Sequence, residues 1–516
     1  MVEYQVNVLV DNADTKGAPI QVENTPTYHN LVGKIEKRVE QGIYSTDHMM
    51  VKAGALLRAN GGYLVLHIRE LLQYPFAWDS LKSVLRNQRL VIEEMGEAYQ
   101  FLPTTALRPD PIQVQCKVIL IGSNYLYHLL TTYDEDFPKL FQVKAEFDSQ
   151  VRCTPDAVME YARFVATTCR REKLLPVSRD GVAAIIEFGM RRAGTADRMT
   201  LRFNEITNLL IEADALARGD EVKVIGDDHV QRARRQRYDR ISLMAEKSLD
   251  DVVDGLLRID TEGTQVGTLN GLAVYQFADL AFGRPLRISA KVFQGKAGVV
   301  NVEREARLAG STYNKGVLIL SGFLGSRFAL DRPLSMSATL AIEQSYAQID
   351  GDSASCAELC ALLSALSGMP LRQDVAITGS VSQSGDVQAI GGINEKVEGF
   401  FRVCASRGLT GRQGVILPAS NVRHLILDPE VLHACETGRF HLYAVQTVEE
   451  ALHILTGQPA GEPQDDGHYP PDSVMGRVAA RLSKWAEKDK EKKEPAEKEP
   501  EKAGRAAILA RKGKAR

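Results

Sequence analysis

Short apolar runs in the first part of the chain predict the strands of a parallel sheet. Residues 63–66 follow paired glycines, and residues 118–121 form a second run of the same kind. Apolar runs of this length, bounded by turn residues, are typical of strands that are buried on both faces. Residues 4–10 predict a further strand, because they are rich in valine and precede a turn-forming segment. Residues 1–154 are therefore predicted to form an α/β subdomain.

A helical periodicity replaces this pattern over residues 155–242, where many arginines separate the apolar positions. The spacing predicts a small helical lid. Arg198 and Arg202 come just before a helix predicted over residues 204–217, and from there both are placed to reach a phosphate. A solvated basic face explains the same arginines equally simply.

Residues 243–460 are predicted to form an α+β domain that begins with strands. Strands are predicted at 266–274, 287–293, 298–303 and 317–320, and a helix at 334–346. Two further helices follow, the first after Ser353 and the second around Lys396. Their apolar positions are Cys356, Leu359, Cys360, Leu363 and Leu366 in the first, and Val397, Phe400, Phe401 and Cys404 in the second.

The serine and the lysine at these helix starts are candidates for a nucleophile and its base. Ser353 lies near a helix N-terminus, where free N–H groups favour a developing oxyanion. An ordinary N-cap serine is the alternative interpretation, and Ser355 is a rival nucleophile. Packing and the helix dipole are expected to lower the pKa of Lys396 toward a value useful for a base, although surface lysines are commoner. Thr378, at the end of a predicted strand, is placed to orient the lysine.

The histidines give no support for a Ser-His-Asp triad, because those of this domain come late and in separate contexts. They are His424, His433, His441 and His453. A Ser-Lys dyad therefore remains the prediction.

Composition limits the possible partners and the cellular compartment of the protein. The formal charge of −3 gives no general argument for nucleic acid or a membrane surface, and the seven cysteines form no C-x-x-C pair. The sequence has no signal peptide and no apolar run of about 18 residues. It indicates a cytoplasmic protein with reduced thiols, without a metal site and without a membrane partner.

The end of the chain, residues 461–516, is predicted to be a charged, disordered tail. Residues 481–516 contain 13 Lys and Arg residues against 7 Asp and Glu residues, with few apolar positions. Nucleic-acid binding has no support beyond this basic tail, since aromatic residues and motifs for it are missing.

The nucleotide-binding signals are incomplete. The phosphate-loop pattern G-x-x-x-x-G-K-[ST] has no match anywhere in the chain. Strand 63–66 ends in His67, where a nucleotide-hydrolysing sheet needs an acidic ligand for Mg²⁺. Asn124 follows the next strand and is placed to sense a γ-phosphate. Core strands with ordinary capping residues are the alternative.

Three motifs together resemble the peptidase domain of the Lon family, particularly its B-type branch with G-D-S-A-S. They are residues 350–355, the pair Thr378-Gly379, and residues 391–396, within a resemblance that extends from 266 to about 457. The resemblance implies a serine peptidase in which Ser353 is the nucleophile and Lys396 is its base.

Residues 4–240 resemble the later part of the AAA+ module of the same proteins. The family's nucleotide-binding loop is then expected upstream of residue 1, and relatives carry an aspartate where this chain has His67. The resemblance implies ATP and Mg²⁺ as cofactors, protein substrates, and a homo-oligomer that is a ring-shaped hexamer.

These observations lead to one main hypothesis and two alternatives. The main hypothesis is an ATP-dependent serine endopeptidase that degrades unfolded or damaged proteins through Ser353 and Lys396. The absent phosphate loop and His67 favour the alternatives, which are an ATP-independent peptidase and a non-proteolytic AAA+-derived scaffold.

Overall fold

The computed structural model describes residues 4–40, 43–93, 107–277, 280–329, 333–464 and 468–489. It divides into two compact units, Met1–Phe147 and Asp148–Arg516. The fold is mixed α/β, as predicted. Within the described residues, every helix is too short or too polar to cross a bilayer.

The first unit contains a three-stranded parallel sheet in the order β1-β6-β9. The runs at 63–66 and 118–121 lie in β6 and β9, which confirms both predicted strands. Residues 4–10 were wrongly predicted as a strand: they are irregular, and Val6 is 84% exposed. The helices are α1 (Tyr28–Val32), α2 (Ala55–Arg58), α3 (Ile68–Gln73), α4 (Ala77–Asn87), α5 (Asn124–Tyr133) and α6 (Phe137–Leu140). The strands are β1 (Ile20–Glu23), β2 (Gly33–Ile35), β3 (Arg38–Glu40), β4 (Ile43–Ser45), β5 (Val51–Ala53), β6 (Tyr63–His67), β7 (Arg89–Leu90), β8 (Ile112–Gln113) and β9 (Lys117–Ile121).

The helical lid forms the start of the second unit, and its long helices confirm the predicted periodicity. Residues 150–152 pair with a lid strand over residues 198–200 rather than with the first sheet. The strands of the lid are β10 (Gln150–Arg152) and β11 (Arg198–Thr200), and its helices are α7 (Pro155–Arg171), α8 (Arg179–Ala193), α9 (Phe203–Gly219) and α10 (Asp227–Asp239). Helix α11 (Leu243–Val253) leads from the lid into the last domain.

A seven-stranded mixed sheet in the order β15-β16-β14-β13-β18-β21-β22 organises this last domain. The strands are β12 (Thr264–Val266), β13 (Thr268–Phe277), β14 (Leu280–Gln294), β15 (Gly298–Asn301), β16 (Met336–Ile342), β17 (Pro370–Arg372), β18 (Val375–Ile377), β19 (Ser380–Val381), β20 (Val387–Gln388), β21 (Gly414–Pro418) and β22 (His441–Val445). The helices are α12 (Val302–Glu305), α13 (Ser311–Phe328), α14 (Ser355–Ser367), α15 (Ile393–Arg407), α16 (Pro429–Glu436) and α17 (Val448–Thr456).

Helices α14 and α15 lie against opposite faces of this sheet. Side chains of β18 and β21 alternate between two cores: Ile377 and Ile416 face the core that contains α14, whereas Ala376 and Val415 face the core that contains α15. Because successive strand residues point to opposite faces, the sheet separates the two helices and fixes the distance between them.

For two segments of this domain, the predicted type of secondary structure was wrong. Residues 317–320 belong to helix α13 rather than to a strand, and residues 334–346 contain strand β16 rather than a helix. Strand β16 buries Met336, Ala338, Leu340 and Ile342 on one face, and it pairs with both β14 and β15. Short apolar runs do not distinguish the two structures, so neighbouring strands decide the outcome.

The predicted disordered tail is also partly wrong. Residues 474–489 form a helix that buries Val474, Val478 and Leu482 in the core around α14. The guanidinium of Arg481 donates a 2.8 Å hydrogen bond to the carbonyl of Ala365 at the end of α14. The charged residues 490–516 lie outside the described residues.

Candidate functional site

A loop and a strand end hold Ser353 just before helix α14. The amide of Gly379 donates a 2.9 Å hydrogen bond to the Ser353 carbonyl, and the Thr378 hydroxyl donates to the same oxygen at 3.3 Å. Gly351 turns the loop with a φ of 107°, a conformation that favours glycine. The Ser353 side chain remains partly exposed at the end of β18.

The two serines of the motif have different environments. Helix α14 has Ala354 as its N-cap and no side-chain cap bond, so Ser353 does not act as the cap. Ser355 is 1% exposed, and its hydroxyl accepts a 3.0 Å hydrogen bond from the amide of Val381. Ser355 therefore has a structural partner, whereas the hydroxyl of Ser353 faces the lysine.

Lys396 lies in the first turn of α15 and is 3% exposed. Its Nζ is 2.9 Å from Ser353 Oγ and 3.2 Å from Thr378 Oγ1. Burial lowers the pKa of the Lys396 ammonium from 10.5 to about 8, although the carboxylates of Asp352 and Glu395 oppose this shift. The structure thus brings together the serine, the lysine and the threonine that the sequence singled out.

A close glycine contact seats the lysine helix on the sheet. A Cβ on Gly283 of β14 would lie 1.9 Å from the Glu395 carbonyl oxygen. A Cβ on Gly399 of α15 would lie 2.2 Å from the Gly283 carbonyl oxygen. Both distances are far below van der Waals contact, so only glycine permits α15 to approach β14 this closely.

Asp352 is a site residue that the sequence analysis missed. Its carboxylate accepts a 3.0 Å hydrogen bond from the hydroxyl of Ser380, and its charge raises the pKa of Lys396. Its position directly before Ser353 was the available signal, but sequence alone does not show which way the side chain points.

Other candidate groups are engaged elsewhere. His424 contacts Asn421, and ring nitrogens of His441 and His453 lie 2.9 and 3.1 Å from backbone carbonyl oxygens. A group with metal-ligand character, Asp220, Asp228 and His229, lies in the lid. Arg232 already pairs with both aspartates of this group, and His229 accepts the amide of Gly226.

The nucleotide candidates lie in two different units: Asn124 and His67 in the first, and Arg202 in the second. Asn124 is exposed as the first residue of α5, which Ser123 caps. His67 is exposed at the neighbouring strand end of the same parallel sheet. Arg202 lies in the lid, where its side chain is 61% exposed and forms a 3.6 Å ion pair with Glu205.

Comparisons with known proteins agree with this architecture. Residues 16–148 match a LonB-like AAA domain, residues 176–240 match an archaeal LonB AAA+ ATPase LID domain, and residues 341–456 match the C-terminal proteolytic domain of Lon proteases (S16).

A Lon protease homolog of Escherichia coli (strain K12) is 36% identical over 415 residues, which cover 78% of this chain and 68% of that protein. A Lon protease homolog of Haemophilus influenzae is 30% identical over 442 residues, with coverages of 85% and 72%. An archaeal Lon protease of Archaeoglobus fulgidus is 26% identical over 456 residues, with coverages of 87% and 69%. The chain therefore belongs to the Lon protease family.

Proposed function

We propose that the protein is a serine endopeptidase in which Ser353 is the nucleophile and Lys396 is the general base. The observation that carries the proposal is the buried Lys396 amine 2.9 Å from Ser353 Oγ. A neutral amine at this distance is within reach of the hydroxyl proton. Burial, which lowers the pKa of the amine, supplies a useful neutral fraction near neutral pH.

The reaction follows from these groups. Ser353 Oγ attacks the peptide carbonyl carbon while its proton passes to Lys396 Nζ, and a tetrahedral intermediate forms. The lysine then gives this proton to the leaving amine as the C–N bond breaks, which leaves an ester on Ser353. Water attacks that ester and transfers its proton to Lys396, and the proton returns to Ser353 Oγ as the acid product leaves.

Thr378 orients the base in this scheme. Its hydroxyl lies 3.2 Å from Lys396 Nζ and also donates to the Ser353 carbonyl. One side chain therefore contacts both halves of the dyad. Since proton transfer depends on the geometry of donor and acceptor, this contact is a positioning contribution.

ATP and Mg²⁺ are the cofactors that an AAA+ ATPase module implies, but the residues of this chain do not fit them well. The end of β6 presents an exposed His67, whereas Mg²⁺ prefers oxygen ligands. The exposed His67, in place of an oxygen ligand, favours a second candidate function, a peptidase that cleaves peptides and unfolded chains without ATP. Asn124 and Arg202 remain proposed nucleotide contacts.

We further propose that the substrates are unfolded or damaged proteins and that the chain assembles as a homo-oligomer, with a hexamer as the expected form. Size-exclusion chromatography with light scattering measures the assembly directly. A monomer at micromolar concentration that still cleaves peptides would contradict the oligomer proposal alone.

Casein cleavage by matched serine variants tests the proposed function. Ser353→Ala is expected to abolish cleavage, whereas Ser355→Ala, two residues away, retains it. A Ser353→Ala variant that cleaves casein at the unsubstituted rate would overturn the assignment. Degradation of a folded substrate with and without ATP then separates the two candidate functions.

A further inference from the structure

A cluster of charged side chains joins the lid to the helix that carries Lys396. Arg191 of α8 forms two hydrogen bonds with the carboxylate of Glu398 of α15, both at 2.6 Å. The Glu398 side chain is 6% exposed, and that of Arg191 is 19% exposed. We call the set Arg191, Arg234, Glu398, Arg402 and Asp428 the lid–peptidase cluster.

The rest of the cluster closes around this pair. Arg191 also donates to the carbonyl of Ile426 at 2.9 Å and lies 3.3 Å from the Asp428 carboxylate. Arg234 of α10 and Arg402 of α15 both pair with Asp428, which directly precedes α16. The amide of Asp428 donates to Glu398 at 2.9 Å. Two lid helices are thereby connected to α15 and α16 through paired charges, of which Glu398 is buried and the others are partly exposed.

The lid–peptidase cluster restrains α15, the helix that carries Lys396. Glu398 and Lys396 are two residues apart on α15, and residues at that spacing point to different sides of a helix. The Arg191 pair therefore holds one side of α15, while the Gly283–Gly399 contact holds the helix against β14. With both restraints in place, α15 has little freedom to turn or slide relative to Ser353.

A buried bidentate pair is well suited to this role. Arginine matches a carboxylate with two parallel hydrogen bonds, which fixes direction as well as distance. Removing one partner leaves a buried charge without its counterion, which strongly disfavours the original arrangement. A shift that separates the lid from α15 breaks this pair.

We propose that Arg191 of the lid is a positioning residue for peptide hydrolysis, because its pair with Glu398 keeps Lys396 at bonding distance from Ser353. The inference rests on the proposed dyad and adds to it a residue from a different domain. Arg191 does not contact the reacting atoms in this scheme, so it acts through α15.

Steady-state kinetics on a fluorogenic peptide tests the inference in the full-length protein. Arg191→Met is expected to lower kcat by about tenfold to a hundredfold with little change in KM, since a displacement of about 1 Å at a catalytic group has effects of this size. Arg191→Lys keeps the charge but not the bidentate geometry, and an intermediate kcat is expected. The matched control is Arg192→Met, because the neighbouring Arg192 pairs with Glu205 inside the lid. It should keep the unsubstituted kcat.

A double variant separates positioning from folding. Arg191→Met combined with Glu398→Met removes both buried charges, and such apolar replacements are often neutral for stability. Its thermal midpoint should stay close to that of the unsubstituted protein while kcat stays low. If it unfolds, Glu398→Gln breaks the ion pair but keeps an amide oxygen that accepts a hydrogen bond from Arg191, and a lowered kcat is again expected.

These experiments distinguish a failure of the Arg191 inference from a failure of the proposed dyad. A folded variant lacking the pair that keeps the unsubstituted kcat overturns the role of Arg191, as does an equal loss in Arg192→Met. If Ser353→Ala hydrolyses the same peptide at the unsubstituted rate, the dyad itself is wrong. If Ser353→Ala is inactive while the double variant is fully active, only the inference about Arg191 fails.

Discussion

The titration of Lys396 gives a prediction whose size follows from the structure. Burial takes the pKa of this amine from 10.5 to about 8, which corresponds to roughly 3 kcal/mol at about 1.4 kcal/mol per unit. At pH 7 about one lysine in ten is then neutral, against roughly one in three thousand at the ordinary value. Since only the neutral amine accepts a proton, kcat should rise with pH, bend near pH 8 and level off above it.

Asp352→Asn should lower the pKa of Lys396. The carboxylate of Asp352 stabilises the ammonium form, so its removal should move the bend of the pH profile to lower pH, by on the order of one unit. The amide can still accept from Ser380, which makes the substitution structurally conservative. The assay is the initial rate of peptide cleavage between pH 6 and 10 at saturating peptide.

Two results would refute this reasoning. One is a profile for the unsubstituted enzyme that keeps rising past pH 10, because it would mean an unshifted lysine. The other is a bend that moves to higher pH in Asp352→Asn. Glu395→Gln is a useful comparison, because the Glu395 carboxylate, like that of Asp352, raises the pKa of Lys396 and so opposes the effect of burial.

Three further substitutions test contacts within the last domain. Gly399→Ala should lower kcat about tenfold to a hundredfold in the peptide assay, because its Cβ would meet the Gly283 carbonyl oxygen and displace α15; unchanged kcat would contradict the tight contact. Thr378→Val should lower kcat about fivefold through loss of one hydrogen bond to Lys396, with the fold intact by circular dichroism; full activity would remove its positioning role. Burial raises the pKa of Glu358 from 4.5 to about 7, so the contribution of Glu358 to the unfolding free energy should be largest below pH 4.5, fall by about 3 kcal/mol as pH rises to about 7, and then stay constant. Denaturant titrations of Glu358→Gln should lack this decrease, and a decrease of equal size in the variant would assign it to another group.

The sequence was most informative where function depends on short local segments. The apolar spacing of α14 and α15 repeats from turn to turn, so both helices were predicted. Ser353 and Lys396 lie at the starts of these helices, and their neighbourhood follows once β18 is placed between them. Local pattern and motif therefore pointed to the same few residues.

The errors concern elements whose structure depends on partners that are distant in the chain. Residues 317–320 and 336–342 are both short apolar runs, and pairing with β14 and β15 makes only the second a strand. In the tail, Val474, Val478 and Leu482 have the four-residue spacing of a helix face, but the high charge of the segment obscured it.

The lid–peptidase cluster could not be predicted from sequence at all. Arg191 and Glu398 are 207 residues apart, and each looks like an ordinary charged residue on an amphipathic helix. Only the folded arrangement of the lid against α15 shows that the two side chains are buried as a pair.

Trapping the acyl-enzyme is the most direct test of the central claim that Ser353 is the nucleophile. An activated peptide ester would be mixed with the enzyme, the reaction quenched with acid, and the acylated residue located by mass spectrometry. The account predicts the acyl group on Ser353, none in Ser353→Ala, and an acylation rate that follows the titration near pH 8. An acyl group on another residue, or continued acylation and turnover in Ser353→Ala, would contradict it.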